Sequence, residues 1–124
     1  MDEIRSYRDL KVWQEAMMLV EGCYRFTRDF PKDEMYGLTS QIRRASVSVP
    51  ANVAEGYGRD STGFYVHFPK NAQGSLKELE THLVLSQRLE LANPKVADLL
   101  LTQAGAIGRM LRALTRSVQN SSER

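Results

Sequence analysis

Apolar residues recur along the chain at three- and four-residue intervals in four separate segments, the spacing that gathers them on one face of a helix. In the first segment Leu10, Trp13, Met17, Val20, Tyr24 and Thr27 form one stripe, and Val12, Ala16, Leu19, Cys23, Phe26 and Phe30 form a second beside it. The second segment carries Ile42, Ala45, Val49 and Val53. The third carries Phe64, Phe68, Ala72, Leu76, Leu79, Leu83 and Ser86, and the fourth Val96, Leu100, Ile107, Leu111, Leu114 and Val118. Stretches of turn-forming composition, "FPKDEMYG", "GYGRDSTG" and Asn93-Pro94, separate them. The pattern predicts helices over about 9–28, 34–56, 62–91 and 94–118 and a frayed polar tail at 119–124. Together they make one all-α domain, an antiparallel up-down-up-down four-helix bundle. Ser6 to Asp9 reads as a capping box for the first helix, Asp33 as the N-cap of the second and Ser61 or Thr62 as that of the third. Asn93 with Pro94 opens the fourth.

One apolar stripe is enough for a bundle helix, so the two stripes of the first helix predict a further buried face. The candidate is an interface with another copy of the chain through Val12, Ala16, Leu19, Cys23 and Phe26. A helix central in its own bundle is the alternative.

The second helix contains "QIRRASVSVPANVAEGYGR" (41–59), with Pro50 inside it. An internal proline removes a backbone hydrogen bond and costs about 3 kcal/mol, which predicts a kink unless neighbours compensate. The Ser46 hydroxyl is placed to rearrange around the carbonyl freed by Pro50. Ala45, Ser46, Ser48, Ala51, Ala54 and Gly56 are small, and Gly74 and Ser75 offer a matching patch on the third helix, so a close crossing is expected there. Glu55, Glu78 and Glu80 are the expected partners of Arg43 and Asn52.

The chain has 124 residues, 17 Lys plus Arg against 15 Asp plus Glu, and a net charge of +2, so overall charge does not mark a nucleic-acid binder. A single cysteine, Cys23, excludes an internal disulfide. The longest apolar run is Ala16 to Val20, and the start "MDEIRSYRDL" has no secretory pattern, which leads to the expectation of a cytosolic protein with no membrane partner. No catalytic or cofactor chemistry is expected. The histidines, His67 and His82, follow Phe64 and Leu79 at the i−3 position, so no Glu-x-x-His pair can build a di-metal site. Cys23 lies on an apolar stripe, and no phosphate-cradling glycine motif is present.

The arginines of the fourth helix remain. Arg109, Arg112 and Arg116 fall about 140–200° from Ile107, while Leu111, Leu114 and Val118 fall within about 40° of it. No acidic residue occurs from Leu99 to Gln119. These three, with Arg44 opposite Ile42 on the second helix, are the candidate contacts for RNA or DNA phosphates. The plain alternative is that they complement the helix dipole and aid solubility.

"LKVWQEA" (10–16), "YGLTSQIRRASVSVPANVAEGYGR" (36–59) and "GSLKELETHL" (74–83), in this order and spacing, resemble the four-helix-bundle family encoded in intervening sequences of bacterial 23S rRNA genes. The resemblance implies a cytosolic homopentamer without enzymatic activity. It extends to the accessory protein of diversity-generating retroelements, which is similar in fold and binds a reverse transcriptase and nucleic acid through a basic surface. The sequence departs from the family at "STGFYVHFPKNAQGSL", where Gly63, Pro69 and Asn71 predict a loosened start of the third helix. The function expected is a homo-oligomeric scaffold that binds RNA, DNA or a ribonucleoprotein partner without sequence specificity. A protein-interaction module without nucleic-acid contact is the alternative.

Overall fold

The computed structural model describes residues 4–59 and 66–122. Four helices are present: α1 (Lys11–Thr27), α2 (Leu38–Arg59), α3 (His67–Arg88) and α4 (Pro94–Ser122), with two short 3₁₀ turns at Tyr7–Asp9 and Lys32–Glu34. Consecutive helices pack on one another and α4 closes on α1, while the diagonal pairs α1–α3 and α2–α4 lie farther apart across the shared core, which is the cross-section of a four-helix bundle. No strand occurs among the described residues.

Each helix turns its heptad-spaced apolar stripe to one shared core. Ile42, Val49 and Val53 of α2 meet Ala72, Leu76, Leu79 and Leu83 of α3 and Ala97, Leu100, Ala104, Ile107 and Leu111 of α4. The α1 stripe in this core is Val12, Ala16, Leu19, Cys23 and Phe26, none of it more than 7 % exposed. That corrects the sequence expectation, in which this stripe was the interface with another copy. It carries the small residues Ala16 and Cys23, which let α1 settle against its neighbours. Of the other stripe, Met17 and Tyr24 lie at the surface, while Leu10 and Trp13 pack against the edge of the core and Thr27 is buried.

The ends of the helices obey local capping chemistry, with several shifts from expectation. Ser6 and Asp9 do form a capping box, but it closes the 3₁₀ turn before α1: Arg8 N donates to Ser6 Oγ at 3.0 Å and Ser6 N to Asp9 Oδ2 at 3.2 Å. α2 begins at Leu38, whose N–H donates to Glu34 Oε1 at 3.1 Å, so Glu34 and not Asp33 satisfies its first turn. Asn93 caps α4 as expected, its Oδ1 accepting from Lys95 N at 2.9 Å with Pro94 at the first helical position. α4 continues past the expected end at Val118 to Ser122, because no glycine or proline follows to stop it. The expected capping residues Ser61 and Thr62, and Phe64 and Gly63, lie outside the described residues. Pro69 does not disturb α3, since it falls in the first turn, where no intrahelical N–H is required.

α3 stops at Arg88, short of the expected 91, through a left-handed residue at Glu90, φ 55°. Leu91 N donates to Ser86 O at 3.1 Å and Glu90 N to Gln87 O at 3.1 Å, the paired bonds of a Schellman motif, with Leu91 packed against the core. Glycine is the usual residue at that position, because a Cβ there crowds the following carbonyl.

α2 runs as one helix through Pro50, which is buried. Ser46 Oγ donates to Arg43 O at 2.9 Å. The α2–α3 crossing exists, but its polar centre is Ser48 with Ser75, their hydroxyls 2.8 Å apart, and Asn52 Nδ2 donates to Ser48 O at 2.8 Å and not to a carboxylate. Gly74 and Ala51 are exposed, and a Cβ on Gly74 would meet nothing within 4 Å, so neither belongs to the crossing. The glycine that permits close approach is Gly22 of α1: a Cβ there would lie 2.8 Å from Leu100 Cδ2 of α4.

Three substitutions separate these cases in a denaturant melt. Gly22→Leu is expected to lower stability by about 1–3 kcal/mol by overpacking the α1–α4 approach. Gly74→Ala should raise it by up to about 1 kcal/mol, since helix propensity improves at no steric cost. Glu90→Gly should raise it by about 1 kcal/mol by removing the left-handed strain.

Candidate nucleic-acid interface

Arg109, Arg112 and Arg116 are all exposed on the side of α4 opposite the buried Ile107 and Leu111. Small neighbours leave them room: a Cβ on Gly105 would lie 3.8 Å from an Arg109 Nη, and one on Gly108 3.7 Å from an Arg112 Nη, so both side chains lean back along the helix. At 1.5 Å rise per residue the three span about 10 Å of helix. Among the described residues no carboxylate forms an ion pair with any of them. The acidic residue of α4 is Asp98, at its opposite end, where Oδ1 accepts from Gln87 Nε2 at 2.8 Å.

Arg44 does not join them. Its Nη2 lies 3.6 Å from Glu78 Oε2 across the α2–α3 seam, and α2 is diagonal to α4. Glu78 also faces His82 Nε2 at 3.3 Å. A pair this exposed contributes no more than about 1 kcal/mol, but it does neutralise the charge locally.

Arg43 is held within the bundle, although by different partners from those expected. Its Nε donates to Thr27 Oγ1 at 2.9 Å, and its guanidinium lies over the Tyr24 ring, 4.6 Å from the centroid. The Thr27 hydroxyl in turn donates to Cys23 O at 2.8 Å. The cation thus ties α2 to the last turns of α1 through an aromatic face and a hydroxyl, not a carboxylate.

Nothing in the geometry prepares Cys23 for nucleophilic chemistry. It is buried in the core, and burial pushes its thiol up to about 12, so the thiolate is withheld at neutral pH. Among the described residues no group of three His, Cys, Asp or Glu side chains is placed to hold a metal ion. No described helix is long and apolar enough to cross a membrane.

What pattern reasoning missed is the outer face of α1. Met17 and Tyr24, with Val47 of α2, remain exposed. The signal was present in the chemistry of the two stripes: one holds Trp13, Met17 and Tyr24, large side chains able to sit at a boundary, and the other holds Ala16, Leu19 and Cys23.

Fold and surface together define a helical-bundle protein with an exposed arginine stripe on one helix that no described carboxylate neutralises. Its sequence places it more narrowly. The profile of the 23S rRNA-intervening sequence protein family matches residues 8–113, and the chain belongs to that family. No curated protein matches it.

The Arg43 contact makes a direct test of structural against surface arginines. Arg43→Gln is expected to lower stability by about 1–2 kcal/mol, because both the ring contact and a charge-assisted hydrogen bond are lost. Arg44→Gln should change it by less than about 1 kcal/mol. Urea titrations followed by circular dichroism read both.

Proposed function

We propose that the protein is a self-assembling cytosolic scaffold, binding rather than catalytic, whose α4 stripe takes the phosphate backbone of RNA or DNA without reading sequence. The observation that carries this reading is a row of cations on one helix face: Arg109, Arg112 and Arg116 are exposed on the side of α4 away from the core, no acidic residue occurs between Leu99 and Gln119, and no carboxylate pairs with them among the described residues. Phosphate affinity comes mainly from releasing condensed counterions, so unneutralised arginines in a row suit it and base-reading groups are not required. No aromatic residue stands between them on α4, which argues against base stacking. Self-assembly, as a homopentamer by family resemblance, would repeat the stripe around one particle and strengthen weak contacts by multivalency.

Fluorescence anisotropy with an arbitrary labelled duplex and single strand, titrated at several salt concentrations, tests this. Affinity should fall with salt, with a log–log slope of about 0.7–0.9 per neutralised phosphate. The triple variant Arg109→Gln, Arg112→Gln, Arg116→Gln should flatten that slope and leave helicity intact. No binding by the parent at low salt, or an unchanged slope in the variant, would reject nucleic acid as the ligand and leave a protein partner as the reading.

A further inference from the structure

Lys70 is a cation that the sequence pattern did not single out. It is exposed in the first turn of α3, one residue after the buried Pro69, and it lies in the stretch where the sequence departs from its family. No carboxylate pairs with it among the described residues. Its N–H donates to Val66 O at 3.3 Å, so it already belongs to the helix and its place on the surface follows from helix geometry.

Two contacts fix how α3 and α4 run past each other. Gln87 Nε2 donates to Asp98 Oδ1 at 2.8 Å, and further along a Cβ on Gly108 would lie 3.4 Å from Leu76 Cδ2. The helices are antiparallel, so each step back along α3 matches a step forward along α4, and Lys70 comes level with Leu114 and Thr115, between Arg112 and Arg116. Rotation about each helix agrees with this placement. Ser75 marks the α2 side of α3 through its 2.8 Å contact with Ser48, and Lys70 lies about 140° around from it, on the flank that carries Gln87. On α4, Gly108 marks the side towards α3, and Arg112 lies about 40° and Arg116 about 80° from it. We infer that the phosphate site is the groove between α3 and α4, with Lys70 on one bank, Arg112 and Arg116 on the other and Arg109 continuing the row, and that it takes one phosphodiester strand laid along the groove.

The charge around this groove suits that ligand. No acidic residue occurs from His67 to Lys77 on α3 or from Leu99 to Gln119 on α4, so neither bank is neutralised from within. Towards the other end the α3 cation is matched, since Lys77 Nζ lies 2.9 Å from Glu80 Oε1, and the attraction is confined to the end that Lys70 occupies. Packed helices stand about 8–10 Å apart, which brings the two banks close enough for one strand to meet both. The inference rests on the phosphate reading of α4 in the proposed function and adds a second helix and a further residue to that site.

Salt titrations of the full chain by fluorescence anisotropy test it, with a labelled single strand and a labelled duplex as probes. Lys70→Gln should lower the log–log slope by about 0.7 on the single strand or about 0.9 on the duplex, the share of one phosphate, and the probe that shows the loss is the one the groove takes. Lys70→Arg keeps the charge and should keep the parent slope. Lys95→Gln removes an exposed cation at the far end of α4 and should also leave the slope unchanged. Lys70 is exposed, so circular dichroism should show the same helicity in every variant. If the parent binds and the triple α4 variant flattens the slope, but Lys70→Gln changes it on neither probe or Lys95→Gln lowers it equally, this inference is overturned and the proposed function stands. A parent that binds neither probe at low salt overturns both.

Discussion

Everything in this bundle depends on removing one apolar stripe per helix from water around a shared axis. Ala16, Leu19 and Cys23 on α1, Ile42, Val49 and Val53 on α2, Leu79 and Leu83 on α3 and Ala104 and Leu111 on α4 are fully excluded from solvent. Their number matters less than their alignment. A helix rotated by one residue about its axis would exchange part of the stripe for charged neighbours, and each such exchange costs more than the hydrophobic gain of a single leucine. The stripe therefore fixes helix rotation, and helix rotation decides which polar groups meet. Arg43 reaches Tyr24 and Thr27, and Ser48 reaches Ser75, across seams whose facing residues this rotation sets.

That constraint explains what the sequence makes legible. The four helices, their order and most of the core stripes of α2 and α3 follow from period alone. On α4 the buried line runs through Ala97, Ala104 and Thr115 and leaves the expected Val96, Leu114 and Val118 only half-buried, because small residues let α4 approach its neighbours. Period fails on α1, because both stripes satisfy it equally. The choice between them is made by volume at the crossing with α4: Gly22, on the α4 side of α1, admits the Leu100 side chain, and Ala16 and Cys23 keep the backbone close to the core. Shape complementarity of this kind belongs to pairs of helices and is absent from a pattern read along one.

Partners were hardest to read where more than one type of group could serve. An arginine in a sequence with three nearby glutamates suggests a salt bridge, yet Arg43 takes an aromatic face and a hydroxyl. Both choices satisfy a planar cation at a half-buried seam, and the aromatic one avoids desolvating a carboxylate. The capping of α2 shows the same ambiguity between adjacent acids: Asp33 has the favoured side chain for an N-cap, but the intervening 3₁₀ turn places Glu34 within reach of Leu38 N. The α4 arginines were legible because their environment is simple. A long helix with one acidic residue, near its start, leaves its outward arginines without competition whatever the details of packing.

Bundle geometry also separates the core from the proposed binding surface. α4 packs on α1 and α3 through its inner side and presents its arginines outward, away from the core. Repeating a stripe of three cations around an assembly adds phosphate contacts without altering any one protomer, and the second contact on a continuous backbone forms at the high local concentration set by the first. Because each neutralised phosphate contributes its own share of the salt dependence, such a surface holds a polyanion firmly at low ionic strength and releases it over a narrow range as salt rises. A single copy with three exposed arginines has no such steepness, and any surface arginine cluster of that size would do as well. On the proposed function, assembly is therefore what would turn this stripe from a solubilising feature into a binding one.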